Sequence, residues 1–201
     1  MSQVTANELR QILKTAISAE GPGSSDFDLN PGVRPARELR PAAVLVAFAQ
    51  AETGWDLILT KRSSRLKHHP GQVAFPGGKQ DEGDVDLAAT ALREAREEIG
   101  LPSEGVEILG ELGAHETVTG FDVTPVVGLF SGTFVPVPEP GEVDEVFRVP
   151  YTHIANPAQF QVQSRRWRGQ QRHYYTVPYG PYYIWGATAR ILRGLSDRLQ
   201  A

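Results

Sequence analysis

Residues 58–101 read ILTKRSSRLKHHPGQVAFPGGKQDEGDVDLAATALREAREEIGL, joining a basic run, a Pro-Gly-Gly turn and a carboxylate-rich helix. The helix is the clearest signal. Asp84 or Asp86 can supply an N-cap oxygen, and Ala88, Leu92, Ala95 and Ile99 follow at i, i+4, i+7 and i+11 as one apolar stripe. At about 100° per residue, Glu94, Glu97 and Glu98 fall on a different face. Gly100 suits a left-handed C-cap, and Pro102 prevents continuation. Three carboxylates within one turn repel one another, and they lie near the helix C-terminus, where the macrodipole disfavours negative charge. A hard divalent cation such as Mg²⁺ or Mn²⁺ reverses that cost, because carboxylate oxygens are its preferred ligands. Taken alone, EAREE is more simply a solvated face with Arg93 and Arg96 as partners. The loop in front of it shifts the balance.

In that loop Val73-Ala74-Phe75 is a short strand candidate, and Pro76-Gly77-Gly78 lets the backbone turn sharply and approach a ligand. These residues resemble the Nudix hydrolase signature, G-x5-E-x7-R-E-U-x-E-E-x-G-U with U apolar. Residues 93–101 match its second half in full. The first half departs: Asp84 stands where the first Glu should be, and eight residues rather than seven separate it from Arg93. One extra residue is a feature of the coenzyme A pyrophosphatase branch, whose upstream pattern is similar to Ile58-Leu59-Thr60, Arg62-Ser63, Gly71, Val73, Phe75-Pro76-Gly77-Gly78, Asp81 and Asp84 here. Lys67 replaces an Arg of that pattern, keeping the charge and losing the bidentate fork. Residues 120–128 and 184–189 resemble further segments of the branch, so the likeness spans roughly residues 40–195.

The resemblance implies an α/β Nudix fold, a mixed β-sheet held between α-helices, in one domain over residues 1–201 with the box at 77–101. It implies that Glu94, Glu97 and Glu98, with the Gly78 carbonyl, hold Mg²⁺ or Mn²⁺. Arg93 would orient those carboxylates, with Asp81 or Asp84 as its partner. Glu97, Glu98, Arg93 and Glu116 are then the catalytic candidates, and Arg62, Arg65, Lys67, Gly77 and Gly78 the substrate-binding ones. The general base stays open among Glu116, Glu142, Asp144 and Glu145. The implied substrate is coenzyme A or a derivative, cleaved to 3′,5′-ADP and 4′-phosphopantetheine. ADP-ribose, a dinucleoside polyphosphate or a nucleotide sugar is the alternative, and a catalytically silent nucleotide sensor a more distant one.

The composition fits such a domain. With 40% hydrophobic and 22% charged residues, 201 residues are ordinary globular material. A net charge of −4 argues against a general nucleic-acid binder, though a local basic patch can still steer a phosphate-rich small molecule. The absence of Cys excludes disulfides, thiolate catalysis and a Cys-based zinc site. It also counts against the NADH pyrophosphatase branch of the same superfamily, which typically carries a zinc ribbon. Neither a membrane-length apolar run nor the layout of a signal peptide is found, so a cytoplasmic location without membrane contact is expected.

Elsewhere, Leu9, Ile12, Leu13, Ala16 and Ile17 predict an N-terminal amphipathic helix capped by Thr5 or Asn7. Residues 21–41, rich in Gly, Pro and Ser, read as an extended loop, a wrap or the arm of a homodimer. Residues 42–50 and 55–61 predict a hairpin, 106–113 and 123–130 two strands with His115-Glu116-Thr117 in the loop between, and 133–140 an irregular segment. Residues 152–156 suggest a short helix, and 160–179 two strands turning near Gln170. Pro181 is placed to start a last helix. The basic run 61–69 is a solvated loop or a phosphate contact led by Arg62. His68 and His69, being adjacent, suit a metal pair poorly. The aromatics from Trp167 to Trp185 are core and rim packing, a stacking surface, or a dimer contact.

Overall fold

Thr5 caps the first helix, α1 (Ala6–Ser18), through a reciprocal capping box. Its hydroxyl accepts the Glu8 N–H at 3.3 Å, and the Glu8 carboxylate accepts the Thr5 N–H at 2.7 Å. The computed structural model describes residues 4–19, 21–30, 37–52, 54–167 and 169–200. After α1 come β1 (Ser24–Ser25), β2 (Arg40–Ala51), β3 (Gly54–Arg62), β4 (Val73–Ala74), β5 (Gly77–Lys79) and α2 (Leu87–Ile99). Then follow β6 (Val106–Glu111), β7 (His115–Glu116), β8 (Phe121–Phe130), β9 (Val143–Pro150), α3 (Tyr151–Ile154), β10 (Gln161–Trp167), β11 (Gln170–Thr176) and α4 (Ala187–Arg198).

β2 is the spine of a mixed sheet. It runs parallel to β8 from Arg40 opposite Phe121 to Ala49 opposite Phe130. Its C-terminal end forms the expected hairpin with β3, whereas its N-terminal half pairs with β5, bringing Gly78 opposite Ala43 and Gly77 opposite Val44. β3 also carries β4 and β9, β8 also carries β6 and β7, and β1 lies parallel to β7. β10 and β11 form a separate two-stranded sheet.

Strand alternation divides the core into two layers. Ala43, Leu45, Ala47 and Ala49 pack with Ala91, Ala95 and Ile99 of α2 on one face. Val46 and Phe48 pack with Leu9 and Leu13 of α1 and Ile191, Leu192 and Leu195 of α4 on the other. A strand covered on both faces has to be apolar at nearly every position, as β2 is. The result is the expected α/β arrangement, a mixed sheet between helices.

Several elements differ from their sequence reading. Asp86, not Asp84, caps α2, accepting the Ala89 N–H at 2.7 Å. The buried residues of α2 are Thr90, Ala91, Ala95, Glu98 and Ile99, with Ala88 and Leu92 only partly covered. The helix turns its small alanines onto the alanines of β2, and that rotation carries Glu98 inward. The last helix begins at Ala187 rather than Pro181. Tyr179 bridges to Tyr182 around a turn at Gly180 and Pro181, and Thr176 bridges to Trp185, so these residues are held outside any helix before Gly186 (φ 65°) turns into α4. His115 and Glu116, expected in a loop, form β7 because β1 and β8 flank them. The short helix starts at Tyr151, and residues 133–140 form no strand. Thr53 in the hairpin turn, residues 31–36 of the long loop, and the Trp167 side chain lie outside the described residues.

Phe48 is fully buried and meets Tyr151 edge-on at 5.8 Å. Phe48→Ala should cost about 3–5 kcal/mol of unfolding free energy in urea titrations. A loss below about 1 kcal/mol would contradict the two-layer core.

Candidate active site

Gly77 and Gly78, expected in a turn, follow a bend at Pro76 as the start of β5, and β2 and α2 fill the space their side chains would need. A Cβ on Gly78 would lie 2.5 Å from the carboxylate of Glu94. A Cβ on Gly77 (φ 154°) would lie 2.4 Å from the Ala43 carbonyl oxygen. The Gly77 N–H donates to the Glu98 carboxylate at 3.1 Å. Glu94 and Glu98 are thus packed against the turn, while Glu97, 60% exposed at its side chain, is not. The expectation that all three glutamates lie on a face away from the apolar stripe is corrected for Glu98, which is buried with that stripe, while Glu94 is half-buried and Glu97 exposed.

Arg93 ties the helix to the loop before it. Its Nε and Nη2 form a fork on Asp84, each at 2.9 Å, and its Nη1 reaches Glu94 at 3.0 Å and Glu97 at 2.9 Å. Nη2 also donates to the Lys79 carbonyl at 3.3 Å. Asp84 accepts the Asp81 N–H and the Thr90 hydroxyl as well, which closes the loop containing the extra residue. Asp84, rather than Asp81 at 3.8 Å, is therefore the main partner of Arg93. The donors of Arg93 are thus spent on these acceptors.

The electrostatics of the carboxylates follow their burial. Burial pushes the Glu98 carboxyl up to about 7, and the charges of Glu94 and Glu142 add to the effect, while the Gly77 N–H and Arg62 oppose it. Burial also raises Glu94, against Arg93 and together with Glu97 and Glu142. The Arg93 fork, helped by the Asp81 N–H, holds Asp84 well below the usual carboxylate range.

Beside this cluster opens a cavity of about 1040 Å³, lined by Arg40, Arg62, Arg165 and Arg172 together with Gly77 and Phe75. Arg62 and Gly77 connect cavity and cluster: both line the cavity, Arg62 acts on Glu98 through space and Gly77 through its N–H. Arg65 and Lys67, expected at the substrate, are exposed and not part of this lining, whereas His68 and His69 are. The N-terminus of α4, which no side chain caps, opens on the same space.

Among the base candidates, Asp144 accepts the Ser64 N–H at 2.8 Å, and Glu145 accepts the Tyr182 hydroxyl. Glu116 is buried in β7 and lies outside the cavity lining, although its neighbours His115 and Thr117 belong to it. Glu142 is the candidate whose charge reaches both Glu94 and Glu98. Sequence reading missed Arg40, Arg165, Arg172 and His115. The fully buried His115 ring joins Ser24 at 2.8 Å and Asp26 at 3.2 Å, and Asp26 accepts the Val118 N–H, which fixes the 115–118 segment at the cavity wall.

An all-oxygen set of acids around a buried carboxylate suits a hard divalent cation. Among the described residues, however, no three His, Cys, Asp or Glu side chains are gathered closely enough to hold one as they stand. Glu94 and Glu97 both lean on Nη1 of Arg93, and Glu98 turns to Gly77. The donor chemistry fits an ion, which would draw Glu94 and Glu97 from the arginine.

Acids pressed on a glycine turn at the mouth of a cationic cavity suit a hydrolase of anionic phosphate compounds. A NUDIX domain model matches residues 39–169. An uncharacterised Nudix hydrolase, NudL, of Enterobacter sp. (strain 638) is 42% identical over 157 residues, 78% of this chain and 81% of that protein. The same-named protein of Pectobacterium atrosepticum is 42% identical over 171 residues, 85% of this chain and 88% of that one. The crystal structure of the MutT protein from Methanosarcina mazei Go1 shares the fold, with a TM-score of 0.51 at 19% identity over 83% of this chain and 99% of that one. The chain belongs to the Nudix family, hydrolases that act on nucleoside diphosphate-linked substrates and generally use divalent cations. No helix among the described residues is long and apolar enough to cross a membrane.

A carboxyl whose folded pKa is raised binds its proton more tightly folded than unfolded. Its contribution is therefore favourable below the unfolded value and is lost as pH rises through the folded one. With chelator present, unfolding free energy should fall between about pH 5 and pH 8, on the order of 3 kcal/mol from Glu98. Glu98→Gln should flatten that slope; an equally steep decline in the variant would contradict the burial of this carboxyl.

Proposed function

We propose that the protein hydrolyses the diphosphate bond of coenzyme A or its derivatives, giving 3′,5′-ADP and 4′-phosphopantetheine. One observation carries the reading: the carboxylate cluster and a cavity with several arginines meet at Arg62 and Gly77. A substrate with a diphosphate at that junction and further negative charge in the cavity matches both halves. The sequence pattern from Ile58 to Asp84 points to the same substrate class.

In this reading Glu94, Glu97 and Glu98 hold Mg²⁺ or Mn²⁺, with the Gly78 carbonyl as a further oxygen. When bound, the ion supplies charge that screens the diphosphate oxygens and makes water a better nucleophile. Arg93, forked on Asp84, holds the loop before α2 and orients Glu94 and Glu97 until an ion takes them. Arg62 meets the diphosphate. A water oxygen bonds to one phosphorus, the bridging P–O bond breaks with its electron pair leaving on the departing phosphate, and a base takes the water proton. Glu142 is assigned as that base, since it is exposed and close enough for its charge to act on Glu94 and Glu98.

A panel of coenzyme A, ADP-ribose, dinucleoside polyphosphates and nucleotide sugars, with either ion and products identified by mass, tests the substrate. Coenzyme A should be cleaved most efficiently, and to the two products named; a clear preference for ADP-ribose would contradict the assignment. Glu98→Gln should lower kcat/KM at least about a hundredfold while retaining the circular dichroism spectrum. A domain that only senses nucleotides would have no turnover to lose.

A further inference from the structure

The β10–β11 hairpin sets two cationic side chains face to face at the cavity wall. Its register places Arg165 directly opposite Arg172, and both line the cavity. Like charges facing across an antiparallel pair repel. Arg165 has no carboxylate partner among the described residues; its guanidinium lies over the Trp185 ring at 4.8 Å. Trp185 is itself held edge-on by Tyr174 at 5.2 Å, on the same hairpin face as Arg172. The acid bordering this cavity, Asp26, is already engaged by His115 and the Val118 N–H. Arg65 and Lys67 of the basic run are absent from the cavity wall, so they do not supply its positive charge.

We propose that Arg165 and Arg172 form a subsite for a phosphate monoester carried by the substrate in addition to its diphosphate, with Trp185 holding Arg165 in position. An anion between the two guanidiniums turns their repulsion into two charge-assisted contacts, and their planar forks suit phosphate oxygens. The pair comes from a different sheet than Arg62, so the two phosphate groups are read by independent elements. The hairpin then determines preference for nucleotides phosphorylated on the ribose. The proposal rests on the coenzyme A reading only in identifying that group with the 3′-phosphate.

Calorimetric titration of the full chain with 3′,5′-ADP and with 5′-AMP, without metal or turnover, tests it. The unaltered protein should bind 3′,5′-ADP about tenfold tighter or more. The Arg165→Gln, Arg172→Gln double variant should bind both alike, with 5′-AMP affinity within about twofold of the starting value. The corresponding Lys double variant should recover part of the preference, because charge is kept and the fork lost. Equal affinities in the unaltered protein would overturn the subsite, as would a Gln variant that keeps the preference or loses both ligands together. A preference that disappears in the Gln variant, in a protein that fails to cleave coenzyme A, would support the subsite and sink the substrate assignment instead.

Discussion

The close approach of α2 to the glycines that open β5 governs the rest of the site. Gly78 leaves room for one carboxylate and nothing larger, and Gly77 adopts a backbone conformation that side chains resist. β5 is held to β2 through those glycines, and β2 is held to α2 through alanines on its facing positions. Small residues on three elements therefore let a helix rich in glutamate lie directly on a strand. Larger residues at Ala43 or Ala95 would lift the helix and separate the acids from the turn.

That closeness has an electrostatic cost, which the surroundings divide. Asp84 absorbs most of the charge of Arg93, and what remains is shared by Glu94 and Glu97. Glu98 receives one N–H and the distant field of Arg62, too little to keep it ionised easily in a buried place. A buried carboxyl raised to about 7 beside another raised carboxyl is an arrangement expected at functional sites rather than in inert cores. The cavity alongside carries the opposite sign. Negative and positive side chains are thus segregated across Gly77.

Much of this was legible in the sequence because it is local. Asp84, Arg93, Glu94, Glu97 and Glu98 lie within one helix and its leading loop, where spacing fixes geometry, and the strands β2, β3 and β8 announce themselves as apolar runs. The depth of Glu98 was not legible: a stripe counted from apolar residues alone excludes a glutamate, and only packing on the alanines of β2 selects the rotation that buries it. Pro181 looked like a helix start, but the bridges to Thr176 and Tyr179 compete for the same residues. Apart from Arg62, the cavity arginines were invisible for a topological reason. Arg40, Arg62, Arg165 and Arg172 are brought together by strands from two sheets, and no spacing in the chain records that meeting.

Crystals grown with Mn²⁺ and measured at the manganese absorption edge test whether the acids beside Gly77 and Gly78 bind a divalent cation. An anomalous peak is expected between Glu94 and Glu98 beside Gly78, with Glu97 drawn away from Arg93. A map without a peak there, with Glu94 and Glu97 still on Arg93 at saturating Mn²⁺, would contradict it.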